Sequence, residues 1–324
     1  MKRLTFLSLL ICVLNFVFYS NVFADGFPKK PLTIIVPYSS GGGSDIMVRT
    51  ITQIIKDNKL SPKPIVVVNK TGGGGLVGKN FVWNKPADGY TVTLADIGNV
   101  VHPFIKESLQ WGTGDWDYLS NMVFDVNLLC VKADTYKNLN ELVSAIKNSE
   151  KLLTAGGTGP IGSPNSVSTI KLSRAIGRKI NYVPMKGGGK VVTALMGGHI
   201  SMGWFNPSEI ISQINAGKII AIAVASPERI SSMPEIATFK ELLGYDLVSI
   251  QQRGLAMKKG APPEALQFWQ DILMKVSQSE EWAEYLKNKI LEDGWLAGVE
   301  FEKWMTDAKN DFRKTLKFLK ETSN

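Results

Sequence analysis

The run "VPYSSGGGSD", from Val36 to Asp45, restricts the fold of this chain more than any other stretch. A β-rich apolar segment, "LTIIVPY" at 32–38, passes straight into three glycines. The glycines lead into "SDIMVRTITQIIKDN" at 44–58, which sets Ile46, Val48, Ile51, Ile54 and Ile55 along one helical face. Glycines at such a junction let backbone N–H groups approach a ligand, and a helix N-terminus adds unsatisfied N–H groups and partial positive charge. A phosphate, a carboxylate or a plain tight turn would each suit the loop. The unit returns in "LLTAGGTGPIGSPNSVSTIKL" at 152–172, where a glycine-rich turn again separates a strand from a helix opened by Ser or Pro. The likeness is architectural, with no fixed-period repeat, and it predicts two lobes facing one another.

Other runs extend the pattern. "PIVVVN" at 64–69, "YTVTLAD" at 90–96 and "IIAIAVAS" at 219–226 read as buried strands ended by turn signals, while "LNELVSAIKN" and "GKVVTALMGG" read as amphipathic helices. Strands alternating with helices predict parallel sheets joined by right-handed crossovers, an α/β class. From Pro262 onward the chain turns helical and aromatic ("EALQFWQDILMKV", "EWAEYLKNKILEDG") and is expected to pack back onto the first lobe. At 324 residues the length suits two domains better than one.

The N-terminus obeys other rules. Lys2 and Arg3 precede an apolar run from Leu4, and Val22-Phe23-Ala24 follows, the layout of a secretory signal peptide cut after Ala24. An uncleaved anchor is the alternative. Cys12 goes with that leader, which leaves Cys130 alone and no internal disulfide, compatible with a bacterial periplasm. Of 37 Lys and Arg residues, 35 remain without Lys2 and Arg3, against 29 acidic ones, for a formal charge of +6. The charges are scattered rather than striped with aromatics, so no nucleic-acid partner is expected.

Three motif matches fail on inspection. "GGGLVG" at 73–78, with Asp96 downstream, fits a dinucleotide fingerprint, but Asn69 to Thr71 separate it from its strand and no hydride-transfer residues accompany it. "GGGKVV" at 187–192 lacks the first glycine and the Ser/Thr of a Walker loop. Ser144-x-x-Lys147 and Ser168-x-x-Lys171 fit the S-x-x-K of penicillin-binding enzymes, yet Lys70-Thr71-Gly72 precedes both, in the wrong order. His102 and His199 are the only histidines and have no metal-ligand spacing. No nucleophile, base or metal set emerges, so the expectation is a protein that is not an enzyme and carries no cofactor.

The loops therefore read as anion sites. Ser39, Ser40 and Ser44 can donate hydroxyls beside Gly41, Gly42 and Gly43. Asp45 either satisfies N–H groups of the first helical turn or meets a hydroxyl or ammonium on the ligand. "TGPIGSPN", Thr158 to Asn165, would bring a second donor set from the opposite lobe.

Several ordered segments together carry a resemblance. "PLTIIVPYSSGGGSDIMVR", "VVVNKTGGGGLVGKNFVWNKPADGYTVTLAD", "INYVPMKGGGKVVTALMGGHISMGWFN", "INAGKIIAIAVASPERISSMPEIATFKELLG" and "GLAMKKGAPPEAL" resemble the substrate-binding receptors of tripartite tricarboxylate transporters, the TctC or Bug family. The resemblance implies a two-lobed periplasmic-binding-protein fold, each lobe a mostly parallel sheet flanked by helices, with the ligand cleft between them. It implies a signal peptide at 1–24, a first lobe from 25–127 and 250–324, and a second lobe from 128–249. The implied ligand is a small carboxylate, held largely by main-chain amides and waters at Tyr38, Ser39, Ser40, Gly41, Gly42, Gly43, Ser44 and Asp45 and at Thr158, Gly159, Pro160, Gly162 and Ser163. Gly73, Gly74, Asp96 and Asn206 would complete the cleft. The implied partners are membrane transporter subunits of that type, the receptor itself being a monomer. An exported enzyme, or a ligand sensor docked to a membrane signalling protein, would use the same cleft. Two departures stand out: the composition of "GTGPIGSPN", and Phe205 in "GWFN" where many members carry an acid. Trp204 and Phe205 would make the wall apolar if they face the cleft, although a strand alternates its faces and core burial is as open for one of them.

Overall fold

The computed structural model describes residues 26–322, so the leader, residues 1–24, lies outside the described residues. Along the chain run β1 (Leu32–Val36), α1 (Gly43–Asp57), β2 (Ile65–Asn69), α2 (Leu76–Trp83), β3 (Thr91–Ala95), α3 (Gly98–Ile105) and β4 (Trp116–Val126). Next come β5 (Leu128–Lys132), α4 (Leu139–Asn148), β6 (Thr154–Thr158), α5 (Pro164–Ile176), β7 (Asn181–Met185), α6 (Gly188–Met196), β8 (Met202–Phe205), α7 (Pro207–Asn215) and β9 (Ile219–Val224). The chain closes with α8 (Phe239–Leu243), β10 (Ile250–Lys258), α9 (Pro263–Ser277), α10 (Glu280–Lys289), β11 (Glu292–Ala297) and α11 (Gly298–Thr322). No helix among the described residues is long and apolar enough to cross a membrane.

The strands form two sheets, one per lobe, ordered β11-β4-β10-β3-β1-β2 and β7-β6-β8-β5-β9. This is the expected α/β two-lobed fold, with one correction: both sheets are mixed rather than mostly parallel. β1 pairs in parallel with β2 and β3, but β10 runs antiparallel to β3 and β4, and β11 antiparallel to β4. In the second sheet β5 runs antiparallel to β8 and β9. The cause is topological. The chain leaves the first sheet along β4 and returns along β10, so the two crossing strands lie side by side in opposite directions, paired from Ile250↔Val126 to Lys258↔Trp116. That ribbon joins the lobes.

Local sequence explains the helix that opens the site. In α1, Met47, Val48, Ile51, Ile54 and Ile55 are buried against β1 and the C-terminal helices, where Trp269 and Trp282 are fully enclosed. Ile46, expected on that apolar face, is only partly buried and lines a cavity between the lobes; Met47 takes its place in the core. α9 and α10 do pack on the first lobe, beside α1. α11 goes further: it covers β4 and reaches α5 of the second lobe, where Asp311 pairs with Lys171 and Arg174.

Candidate functional site

The ends of β1, β3 and β6 bring the expected loops to the junction of the lobes. Gly42 caps α1 without a side chain, and helix geometry leaves the N–H groups of Gly43, Ser44 and Asp45 without intrahelical partners. On the second lobe, Ser163 caps α5 with no side-chain hydrogen bond, and Pro164 occupies the first turn. The lobes approach closely here: a Cβ placed on Gly162 would lie 3.1 Å from Val101 Cγ1.

Within each loop, many amides are already occupied. Gly41 N–H donates to Asp45 Oδ2 (2.8 Å) and Gly42 N–H to Ser39 O (3.3 Å). Gly162 N–H donates to Ser166 Oγ (2.8 Å), and Ser163 N–H to Pro160 O (2.9 Å). The Tyr182 hydroxyl bonds the carbonyls of Thr158 and Gly159 (3.1 and 2.9 Å) and so braces that loop from outside. The donors open to a ligand are therefore those of the first helical turns, Gly43 included, rather than of Gly41, Gly42 and Gly162. Ile161, at the tip of the loop, is 73% exposed.

Asp45 takes a structural role, but it reaches back to the glycine loop rather than to N–H groups of the first helical turn. Its carboxylate is buried and accepts from Gly41 N–H, Arg49 Nε (3.0 Å), Asn69 Nδ2 (2.9 Å) and, weakly, Ser40 Oγ (3.4 Å). It fixes the glycine loop just before the helix. Burial opposes its ionisation, but the bonds from Arg49, Gly41 and Asn69 outweigh burial and pull its pKa from 3.8 down to about 2. A depressed carboxylate stabilises the fold above its unfolded pKa and loses that contribution as pH falls from about 4 to about 2. That difference corresponds to roughly 2.5 kcal/mol. The stability gap between the parent and Asp45→Asn, read by denaturant unfolding, is expected to shrink across that window; a gap independent of pH would refute the assignment.

Tyr38 and Asp96 are brought together, joined by a 2.8 Å hydrogen bond from the phenol. Behind them lies a residue the sequence reading missed. Lys79 is fully buried, with its ammonium 3.1 Å from Asp96 Oδ1 and donating to Leu94 O (2.8 Å) and Asn99 Oδ1. Desolvation lowers its pKa against the pull of Asp96. His102 stands beside this cluster and bonds the Gly74 backbone; burial and then Lys79 hold its pKa low. Gly73 and Gly74 thus lie over the cluster, both at positive φ. The dinucleotide alternative loses its acid here, because Asp96 is spent on Lys79, Tyr38 and the Gly98 N–H (2.7 Å).

Asn206 faces the start of α1 across the junction, lining one cavity with Gly43 and Ile46. Its side chain donates to Val126 O (3.0 Å) and its N–H to Glu209 (3.2 Å), tying α7 to the joining ribbon. Beside it is a second unanticipated pair, Asp125 and Arg253, each more than nine-tenths buried and joined by an ion pair. Trp204 and Phe205 both leave the cleft. They are fully buried on opposite faces of β8, Trp204 with α5 and Phe205 with α6 and β9. Among the described residues no group of three or more His, Cys, Asp or Glu side chains is placed to hold a metal.

Comparison with known proteins gives a consistent picture. Residues 48–319 match the family described as "Tripartite tricarboxylate transporter family receptor". Protein BugT of Bordetella pertussis is 28% identical over 249 residues, 76% of each chain. The crystal structure of a TctC solute binding protein from Polaromonas superposes with a TM-score of 0.78 at 26% identity, covering 90% of this chain and 99% of that one. The R. palustris protein Rpa4515, solved with adipate, shares the fold with a TM-score of 0.76 at 21% identity, over 90% of this chain and 98% of its own.

Proposed function

Because this chain belongs to the tripartite tricarboxylate transporter receptor family, we propose that it is a periplasmic solute-binding receptor whose lobes close on a small carboxylate and deliver it to membrane subunits of such a transporter. Export would follow cleavage of the leader after Ala24, and the lobes would divide at 127/128 and 249/250. The observation that carries the reading is the pair of helix N-termini without side-chain caps, α1 and α5, one on each lobe and both at the junction. Such ends bind anions without a cationic side chain. Hydrogen bonds to a charged group contribute roughly 1.5–3 kcal/mol each, so four or five, less ordering costs, reach the ~8 kcal/mol of micromolar binding. The adipate held by the R. palustris protein of the same fold supports a carboxylate as the ligand class.

Isothermal calorimetry of the exported chain against di- and tricarboxylates, aromatic acids, acidic amino acids and NAD tests this. One carboxylate is expected to bind at micromolar affinity or tighter. Gly42→Val is expected to weaken it at least tenfold, because the added side chain blocks the α1 terminus while its backbone angles (φ −75°, ψ 163°) suit any residue. NAD binding with silent carboxylates would overturn the reading.

A further inference from the structure

The two strands that join the lobes each carry a buried charge at the junction. Asp125 is 4% exposed and Arg253 8% exposed. In the β4–β10 register Gln251 stands opposite Asp125 and Val123 opposite Arg253, so the two charges are diagonal neighbours on one face and form an ion pair. Their bonding is incomplete: Arg253 Nε and Asp125 Oδ1 are both buried without a hydrogen-bond partner. A buried pair of this kind gives little net stability over apolar residues of the same volume, and unsatisfied atoms make it worse.

Its surroundings point to a ligand. The guanidinium lies against the first turn of α1, where a Cβ on Gly43 would come within 3.1 Å of Nη1. A cation at a helix N-terminus is unfavourable and calls for an anion between them. The pair lines a cavity of about 320 Å³ between the lobes, walled by Gly43 and Ile46 on one side and by Ser208 and Glu209 on the other, with Lys289 at its edge. That volume lies at the lower end of small-ligand pockets. The cavity holds two carboxylates, Asp125 and Glu209, and two cations, Arg253 and Lys289. Two carboxylates beside two cations disfavour a ligand that offers only carboxylate oxygens and favour one that also brings a hydrogen-bond donor.

We propose that Asp125 and Arg253 contact the ligand and set its class: Arg253, with the amides of the α1 terminus, takes a carboxylate, and Asp125 takes a hydroxyl or ammonium on the neighbouring carbon. The inference rests on the receptor reading and narrows its ligands to 2-hydroxy- or 2-amino-carboxylates. Because both residues lie on the joining ribbon, contact with them is made where the lobes swing.

Calorimetry of the full chain with succinate, malate and aspartate isolates the donor group, since the three share one carbon skeleton. Malate or aspartate is expected to bind at least tenfold more tightly than succinate. Asp125→Asn is expected to cut that preference below threefold by weakening the donor-bearing ligand, with succinate changed less than threefold. The double variant Asp125→Asn/Arg253→Gln, which leaves no uncompensated buried charge, is expected to keep its thermal transition and lose at least tenfold for all three acids. A double variant that folds and binds like the parent would assign the pair to structure alone and overturn the proposal. Equal binding of succinate and its substituted forms would also overturn it, while leaving the receptor reading intact. Silence toward every carboxylate would overturn both.

Discussion

Replacing Lys79 by alanine is expected to cost about 3–5 kcal/mol of folding stability, a large part of the ~5–15 kcal/mol typical of a folded chain. The cause is what the ammonium leaves behind. Asp96, 4% exposed, would keep the Tyr38 hydroxyl and the Gly98 N–H but lose its counter-charge. Leu94 O and Asn99 Oδ1 would lose a donor in the same step. Denaturant unfolding should show a lower midpoint with little change in slope. Lys79→Met, which fills the space, is expected to recover only a small part, because the uncompensated carboxylate dominates. Lys79→Met/Asp96→Asn is expected to recover most of the loss, since removing both charges also removes the desolvation cost. A single alanine variant within about 1 kcal/mol of the parent would mean that Asp96 has another compensating partner, contrary to the geometry. Because Tyr38 leans on Asp96, the cluster also fixes one side of the glycine loops.

The outline of the fold was legible wherever the signal is local. "LTIIV" at β1, the α4 segment "LNELVSAIKN" and the glycine junctions between strand and helix all lie where periodicity and turn chemistry put them. Strand direction was not legible. Nothing in "WDYLSNMVFDV" or "IQQRGLAMK" says that they run side by side in opposite directions, because that pairing joins residues more than 120 positions apart. β11 was hidden for a similar reason: "EDGWLA" is short and its register on β4 is irregular. The swap of Ile46 for Met47 in the core shows a finer limit. A 100° step admits both residues to the apolar face, and only the position of the second lobe decides between them.

The site was half legible. Glycine runs and helix caps mark where an anion could sit, so residues 38–45 and 158–165 could be named from pattern alone. Which amides stay open could not, since Asp45, Ser39, Ser166 and Pro160 occupy several of them through side-chain and turn bonds that no spacing announces. Lys79, Asp125 and Arg253 did leave a signal. Each is a charge in or beside an apolar element, "LVGKNFVW", "NMVFDVNLL" and "IQQRGLAM". A charge in a buried element needs a partner, but naming the partner requires the register.

Trp204→Ala is expected to destabilise the chain by about 3–5 kcal/mol, the cost of emptying a large aromatic site that cannot fully collapse. The indole is fully buried, lies 5.9 Å from the Phe239 ring and donates from Nε1 to Thr169 Oγ1 at 2.9 Å. Trp204→Phe keeps most of the volume and gives up that bond, so a loss of about 1–2 kcal/mol is expected. The informative reading is ligand affinity in this milder variant. The ring packs into the second-lobe core behind α5, so carboxylate binding should stay within about twofold of the parent once the protein is folded. A tenfold loss of affinity with an unchanged unfolding midpoint would instead put the indole against the ligand. Phe205 gives the complementary control, because it enters a separate second-lobe cluster on the opposite face of β8. With both aromatics withdrawn from the wall, the proposed discrimination among carboxylates would rest on the groups that do line the junction: the open amides of two helix ends and the charged pair on the ribbon between the lobes.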